Sequence, residues 1–208
     1  MDRDGDAIPA LPLVLVAAYV GAQLIADVAS LKIGSVFGLA VDLGAFIYPF
    51  TFTLRDMVHR ATGTKATRAV ILSAAAINLA MAAYFWLAGR LPGHPDAVHA
   101  EAFRTVFAPV WRIVLASIAA EVASELVDTE IYRFVRARAP ERLWLRVLAS
   151  NAVSMPLDNL VFVVGAFAGR LPWSAMGEIF LVNLAVKFAV MLISIPGIYA
   201  LPAKLDKV

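Results

Sequence analysis

The chain has 208 residues, of which 61% are hydrophobic and only 16% are charged, and its mean hydropathy is +0.78. Soluble domains are about 45–50% apolar and about 25% charged, so this composition excludes an ordinary soluble globular protein. The net charge of +2 does not suggest a nucleic-acid partner, and the lack of cysteine excludes disulfides, thiolate metal sites and cysteine catalysis. We therefore expect an all-α membrane protein with the lipid bilayer as its solvent.

Six apolar blocks follow one another along the chain, and about 20 apolar residues suffice for a helix to cross a bilayer. The blocks cover roughly residues 11–31, 37–54, 69–89, 111–132, 147–169 and 174–201. The sequence therefore predicts a single domain of six transmembrane helices at residues 11–202, with short tails at 1–10 and 203–208. The second block is short and contains Gly44 and Pro49, which predict a kinked or broken helix of the kind tolerated beside a cavity.

The distribution of basic residues predicts the orientation of these helices. Arg and Lys are concentrated in cytoplasmic loops of membrane proteins. Twelve of the 18 lie on the side that holds both termini and the second and fourth loops, and five lie on the other side. We expect both termini in the cytoplasm. The acidic start of the chain lacks the basic region of a signal peptide, so the first block is predicted to be a retained span.

Charged and amide side chains inside the predicted spans mark the candidate site, because such groups are costly in lipid and usually face the bundle interior. In the fourth block, Ser117, Glu121, Ser124, Glu125 and Asp128 are three or four residues apart and share one helix face. Several acids on one face need cationic partners or shared protons, and Lys187, which follows Asn183 by one turn, is the natural cation. The remaining candidates are Asp27, Asp56 and Asp158.

Aromatic residues accompany these acids. Phe50 and Phe52 lie near the end of the second block, and Phe162 follows Asp158 by one turn. A carboxylate accepts paired N–H donors and an aromatic ring stacks, so together they suit a flat, nitrogen-rich ring or an organic cation. The structural alternative is that the polar network only fixes helix packing, and that Asp56 and Asp128 lie at the membrane interface. The three histidines fall in predicted loops without metal-ligand spacing, so we predict neither a metal nor a cofactor.

Several segments resemble those of a known family, the queuosine precursor transporters, also called vitamin uptake transporters. The resemblance rests on residues 48–56 (YPFTFTLRD) with Gly63, Lys65 and Arg68, on residues 144–151 (WLRVLASN) with Ser154 and Asp158, on residues 112–117 (RIVLAS) with Asp128, on residues 171–173 (LPW), and on Asn183 with Lys187. It implies a six-helix protein of the bacterial inner membrane, with a fold similar to the substrate-binding subunits of energy-coupling-factor transporters. The implied substrates are 7-cyano- and 7-aminomethyl-7-deazaguanine, bases that are salvaged for tRNA modification.

The chain departs from the family pattern at five positions, one of which is Thr62 in place of a common Tyr. Asp27 stands where the family usually has Asn, His59 and Arg60 stand where Asn and Glu are usual, and Glu125 stands where Gln is expected. Two acids in place of amides suggest a more cationic substrate or coupling to protons.

The function expected from the sequence is therefore import of a small nitrogenous base. One alternative is a vitamin-binding subunit that works with an ATPase module, and a homo-oligomer is a further candidate assembly. A second alternative is an intramembrane aspartyl enzyme that would use Asp56 or Asp128 with Asp158. A structural or assembly role is disfavoured by the number of charges inside the spans.

Overall fold

The computed structural model of the chain describes residues 10–94, 98–139, 141 and 143–200, and the structural statements below refer to these residues. Seven helices and one hairpin make up the fold. In chain order they are α1 (Ala10–Ala29), β1 (Ile33–Val36), β2 (Leu39–Asp42), a 3₁₀ turn (Leu43–Phe46), α2 (Tyr48–Thr62), α3 (Thr64–Ala88), α4 (Ala100–Phe107), α5 (Val110–Arg138), α6 (Leu143–Phe167) and α7 (Trp173–Ala200).

Five stretches of helix are long and apolar enough to cross a membrane, which confirms a helical membrane protein. They are Leu11–Ala29, Lys65–Ala88, Ala100–Asp128, Leu148–Phe167 and Trp173–Ile193. The third of them includes α4 and most of α5, which the structure separates at Pro109 because proline cannot continue the hydrogen-bond ladder of a preceding helix. These five correspond to five of the six predicted apolar blocks.

The second predicted block differs from a single transmembrane helix. Its first part is the strand β2, paired antiparallel with β1, and the 3₁₀ turn then leads into α2, which has only 15 residues. Phe37 and Gly38 connect the strands, both with positive φ, as a two-residue hairpin turn requires. The predicted break is therefore present and is larger than a kink: the strand β2 occupies the start of the block, and Val41 and Asp42 at the end of this strand are buried.

Helices α5 and α6 are the most closely packed pair. A methyl group at Gly165 would lie 2.9 Å from the Cβ atom of Ala116, so the two helix backbones approach as small residues allow. The Arg112 guanidinium reinforces the contact by donating to the carbonyl oxygens of Gly165 at 2.8 Å and Ala168 at 2.5 Å near the C-terminal end of α6. Phe162 and Ile179 extend this core to α7.

Candidate substrate-binding site

Helix α1 presents a polar face to the interior. Tyr19, Gln23 and Asp27 recur every four residues and therefore lie on one side of the helix, where all three are buried. The opposite side, which includes Val14 and Ile25, is exposed and suited to lipid. This face brings three polar groups to the centre of the bundle.

A chain of hydrogen bonds links three helices through this face. The Asn78 amide of α3 donates to Gln23 Oε1 at 3.2 Å, and Gln23 Nε2 donates to the Tyr19 hydroxyl at 2.8 Å. The Tyr19 hydroxyl in turn donates to Glu121 Oε1 on α5 at 3.3 Å. Because each group is held by its neighbour, the Glu121 carboxylate is oriented by residues of α1 and α3.

Asp27 lies one turn farther along α1 and contacts the same face of α5. The Ser117 hydroxyl donates to Asp27 Oδ1 at 2.8 Å. Both residues line the central cavities described below. The carboxylate is therefore placed at the junction of α1 and α5.

The buried cation of the site is Lys187 on α7. Its Nζ forms an ion pair with Asp158 of α6, and the two side chains are only 3% and 1% exposed. Lys187 Nζ also lies 5.1 Å from the centre of the Tyr48 ring, within the range of a cation–π contact. Burial of the pair away from water makes each partner dependent on the other, because removing one leaves an uncompensated charge.

Asp42 at the end of the hairpin is the third buried acid. Its Oδ1 accepts from the Gly44 backbone N–H at 2.9 Å and so caps the 3₁₀ turn, while its Oδ2 accepts from Asn183 Nδ2 at 3.4 Å. A second contact joins the hairpin to α7, since the Ala40 backbone N–H donates to Glu178 Oε2 at 2.8 Å. The hairpin is thereby held against α7 at two points.

Two small cavities lie among these groups. Each has a volume of about 10 Å³, enough for about one water molecule. The first is lined by Ala26, Asp27, Ser30, Asp42, Ala45, Tyr48, Ser117, Phe162, Asn183 and Lys187, and the second by Gln23, Asp27, Tyr48, Ala75, Asn78, Ser117, Ile118 and Glu121. Asp27, Tyr48 and Ser117 border both, so the cavities adjoin.

A residue in each cavity wall also carries a buried acceptor that the described residues leave without a hydrogen bond. Asn183 lines the first cavity and Asn78 lines the second, and in each it is the Oδ1 atom that has no partner. Buried polar atoms are rarely left unpaired in native proteins, and exceptions often have a functional reason. Two amide oxygens beside several carboxylates form a surface that would accept N–H donors from a ligand.

The structure brings together most of the predicted site residues. The first cavity is lined by Asp27, Phe162, Asn183 and Lys187, and the second is lined by Glu121. Asp158 is the ion-pair partner of Lys187. The prediction placed Lys187 opposite the acids of the fourth block; among the described residues its ion pair is with Asp158 on α6.

The remaining predicted residues lie elsewhere or are not described. Asp128 accepts from the Ser154 hydroxyl at 3.1 Å, one turn beyond Ser124 along α5 and outside both cavity walls. Phe50 is half exposed, and Phe52 packs edge-on against Tyr48 with ring centres 5.4 Å apart. The side chains of Asp56 and Glu125 lie outside the described part of the structure, so their predicted roles stay predictions.

Several site residues did not stand out in the sequence as ligand-binding candidates. Asp42 is an acid within the second apolar block, but only the hairpin fold carries it to α7. Tyr19 and Asn78 are single polar residues in apolar blocks, and the four-residue spacing of Tyr19, Gln23 and Asp27 is the signal that could have identified the face of α1.

The chain is similar to sequences of one family. The profile of the family described as "putative vitamin uptake transporter" matches residues 42–201. The chain belongs to this family. It is also 32% identical over 184 residues to a Bacillus subtilis (strain 168) protein named "probable queuosine precursor transporter", a match that covers 86% of this chain and 79% of the relative. No solved structure matches the chain.

Membership in the vitamin uptake transporter family confirms the resemblance seen in the sequence. It identifies the protein as a membrane transporter and not an enzyme, so the aspartyl-enzyme alternative is set aside. The buried acids are accordingly considered below as groups that bind a transported molecule.

Proposed function

We propose that this protein imports the queuosine precursors 7-cyano-7-deazaguanine and 7-aminomethyl-7-deazaguanine across the cytoplasmic membrane of a bacterium. The proposal is supported by the family profile over residues 42–201 and by the name of the Bacillus subtilis relative. The observation that carries it is the buried cluster of carboxylates and free amide oxygens at the centre of the bundle, whose chemistry matches the N–H groups of a deazaguanine.

The site offers each feature that such a base needs. The ring N–H and exocyclic amine can donate to Asp27 and to the unpaired Oδ1 atoms of Asn78 and Asn183. Tyr48 and Phe162 supply aromatic surface for stacking against the ring.

The balance of charge favours the aminomethyl base. Among the described residues of the first cavity and its ion pair, the acids Asp27, Asp42 and Asp158 face the single cation Lys187. A cationic amine would compensate an acid that Lys187 does not, and the cyano base offers no such charge.

The structure corresponds to a closed arrangement of the site. Small-molecule pockets usually have volumes of about 300 Å³ or more, whereas each central cavity has about 10 Å³. A base can therefore enter only if neighbouring elements separate. The hairpin is the proposed moving element, because its Asp42 lines the first cavity and contacts α7 through a hydrogen bond from Asn183.

The proposed topology has six crossings. The hairpin, the 3₁₀ turn and α2 together would make the second crossing, with extended backbone in its first part, and irregular backbone is tolerated in a membrane where it lines a cavity. Both termini would then lie in the cytoplasm, as the basic residues predict. A fold like that of the energy-coupling-factor subunits is part of the same proposal.

The topology can be measured directly because the chain contains no cysteine. Single substitutions Val98→Cys and Glu141→Cys would be labelled in intact cells with a membrane-impermeant maleimide; both positions are exposed. The proposal expects labelling at Val98→Cys and none at Glu141→Cys until the cells are permeabilised. The reverse pattern would contradict it.

Uptake of labelled base tests the function. Cells that lack their own carrier should accumulate both 7-deazaguanine bases when they express this chain, and should lose that uptake when they carry the double variant Glu125→Ala, Asp158→Ala. The exposed Glu141→Gln variant is the control and should transport normally. Normal uptake by the double variant would overturn the assignment of the site, and absence of uptake by the unaltered chain would overturn the substrate.

The family description favours one second candidate, a vitamin as the transported molecule. In that case the chain would act as the binding subunit of an assembly with an ATPase module. Copurification of such a module, or competition by a vitamin and not by deazaguanines in the uptake assay, would support this candidate over the first.

A further inference from the structure

A large cavity opens at the end of the bundle where α3 ends and α5 begins. Its volume is about 830 Å³, and α4 and the α6–α7 loop complete its wall. Among the described residues, three arginines (Arg90, Arg104 and Arg170) and one acid (Glu101) line it. It shares no residue with the two central cavities. The cavity is therefore a separate basic recess, and the transport proposal does not use it.

The position of Arg104 follows from the amphipathic pattern of α4. Phe103 and Phe107 pack against Phe85 of α3, with ring centres 6.1 and 4.8 Å from it, and this contact fixes α4 on the end of α3. Arg104 lies on the cavity side of the same helix and is braced by Glu101 at 2.7 Å. One arginine is thus held in place by a short helix.

Arg90 is positioned by an aromatic ring. Its guanidinium carbon lies 3.7 Å from the centre of the Trp86 ring, close enough for stacking and a cation–π contact. A guanidinium held flat on an indole keeps its N–H donors at its edge, where a phosphate could accept them. Trp86 itself is 40% exposed and Trp111 is 44% exposed. Trp86 lies near the end of the apolar stretch Lys65–Ala88, and tryptophan is enriched at the ends of membrane spans, where lipid headgroups meet the acyl chains.

An apolar groove continues from this recess along the side of the bundle. It runs between α3 and α5, has a volume of about 310 Å³, and is lined by Leu79, Ala82, Ala83, Trp86, Trp111 and Leu115. Trp86 and Trp111 belong to both walls, so the groove begins where the basic recess ends. Ala82 and Ala83 are the smallest residues that line it.

From this arrangement we propose that the two compartments form a binding site for one anionic phospholipid. The phosphate group is held by Arg90, Arg104 and Arg170, and an acyl chain lies in the groove between α3 and α5. The charges are complementary, since three guanidinium groups and one carboxylate leave the recess with an excess of positive charge. The groove lies on the side of two membrane-spanning stretches, where acyl chains surround the protein.

Lipid binding can be measured by native mass spectrometry of the full-length protein released from nanodiscs. Nanodiscs would contain phosphatidylglycerol or phosphatidylcholine with identical acyl chains. The proposal expects retention of phosphatidylglycerol over phosphatidylcholine. Each Arg→Gln change at positions 90, 104 and 170 should weaken that retention by roughly fivefold. Arg138→Gln is the matched control, since Arg138 is an exposed arginine that stacks on Phe134 near the other end of α5.

The groove has its own test, which separates a lipid from a free anion. Ala83→Trp fills the groove and leaves the arginines unchanged, whereas Ala80→Trp places the same ring on the exposed surface of α3 outside the groove. The proposal expects loss of phosphatidylglycerol retention in the first variant only. Thermal unfolding of both variants in phosphatidylcholine should stay similar, which excludes misfolding as the cause.

Three results would overturn the proposal. The first is equal retention of the two lipids by the unaltered protein. The second is binding of glycerol phosphate or inorganic phosphate as tight as that of phosphatidylglycerol, with no effect of Ala83→Trp, which would indicate a site for a free anion. The third is a dimer in the mass spectrum that Ala83→Trp dissociates, because a second copy of the chain would then occupy the groove.

Discussion

The ion pair between Lys187 and Asp158 is the most informative place to perturb the protein. Lys187→Met keeps the length of the side chain and removes the charge, so Asp158, which is 1% exposed, is left without its cation. Among the described residues, the Ser124 hydroxyl also donates to Asp158, but at 3.5 Å it is too distant to compensate a carboxylate. Breaking a buried pair from one side costs about 3–5 kcal/mol of folding free energy. We expect a loss of this size in Lys187→Met.

A double variant separates stability from transport. Lys187→Met combined with Asp158→Leu removes both charges, and replacing a whole buried pair with apolar residues is often neutral or stabilising by about 1–4 kcal/mol. Unfolding in mixed detergent micelles would be followed for the wild type, both single variants and the double variant. The account predicts that the double variant regains most of the stability lost by Lys187→Met and still fails to accumulate deazaguanine.

Two results would refute this reasoning. If Lys187→Met unfolds at the same denaturant concentration as the wild type, the pair is not the buried contact described. If the double variant is stable and transports normally, the pair only supports helix packing and has no role in binding the substrate. Asn159→Ala serves as the structural control. Asn159 lines neither central cavity, and its Nδ2 donates to the Phe180 carbonyl at 2.7 Å.

Three further predictions concern other parts of the fold. Gly165→Ala should lower the thermal stability, because its new Cβ would lie 2.9 Å from that of Ala116, whereas Gly177→Ala, with no atom within 4 Å, should not. Gly44→Ala should reduce substrate binding, since its Cβ would collide with Ser30 Oγ at 2.0 Å and the Ala26 carbonyl at 2.5 Å, while Gly21→Ala on open helix surface should bind normally. Glu178→Ala should speed hydrogen exchange at Ala40, because its backbone N–H loses its acceptor. Exchange at Gly44 should stay slow, because Asp42 still accepts from its N–H. If Ala40 is protected in the variant as well as in the wild type, the contact with Glu178 is contradicted.

Much of the site could be predicted because its residues follow helical periodicity. Ser117 and Glu121 share a face by spacing alone, and so do Asn183 and Lys187. Burial of charge in an apolar chain is costly, so these residues had to meet somewhere in the interior. The structure places Ser117, Asn183 and Lys187 around one cavity and Glu121 in the wall of the next.

The hairpin could not be predicted from the same information. Residues 33–42 are as apolar as a helix would be, and short apolar runs do not distinguish strand from helix by periodicity. Its turn at Phe37 and Gly38 is only weakly marked, since Gly is usual there and Phe is not. The consequence is that Asp42, which depends on the hairpin for its position, was not among the predicted binding residues.

The ion-pair partner of Lys187 also could not be predicted from the sequence. Acids on α5 and on α6 were equally plausible by burial, and only the packing of α6 against α7 places Asp158 at the ammonium group. Glu121 instead accepts from Tyr19, a residue about 100 positions away in the chain. Long-range pairing of this kind depends on how helices are arranged, which periodicity within one helix does not specify.

Position 27 offers a sharp test of substrate preference within the proposed function. The resemblance to the family leads us to expect Asn there, and this chain has Asp, whose carboxylate accepts from Ser117 in the wall of both central cavities. Asp27→Asn keeps the shape and removes the acid. We expect uptake of the aminomethyl base to fall relative to that of the cyano base, and an unchanged ratio would contradict a role of Asp27 in recognising the amine.

The most direct test of the central claim is binding of 7-aminomethyl-7-deazaguanine to the purified protein. A ligand that binds only the folded state stabilises it by about 2.7 kcal/mol at one hundred times its dissociation constant, so thermal unfolding in detergent reports binding. The account predicts stabilisation of the wild type by this base, none by adenine or thiamine, and none in an Asp27→Ala, Asn183→Ala variant. Stabilisation of that variant equal to the wild type, or a wild type that responds only to a vitamin, would contradict it.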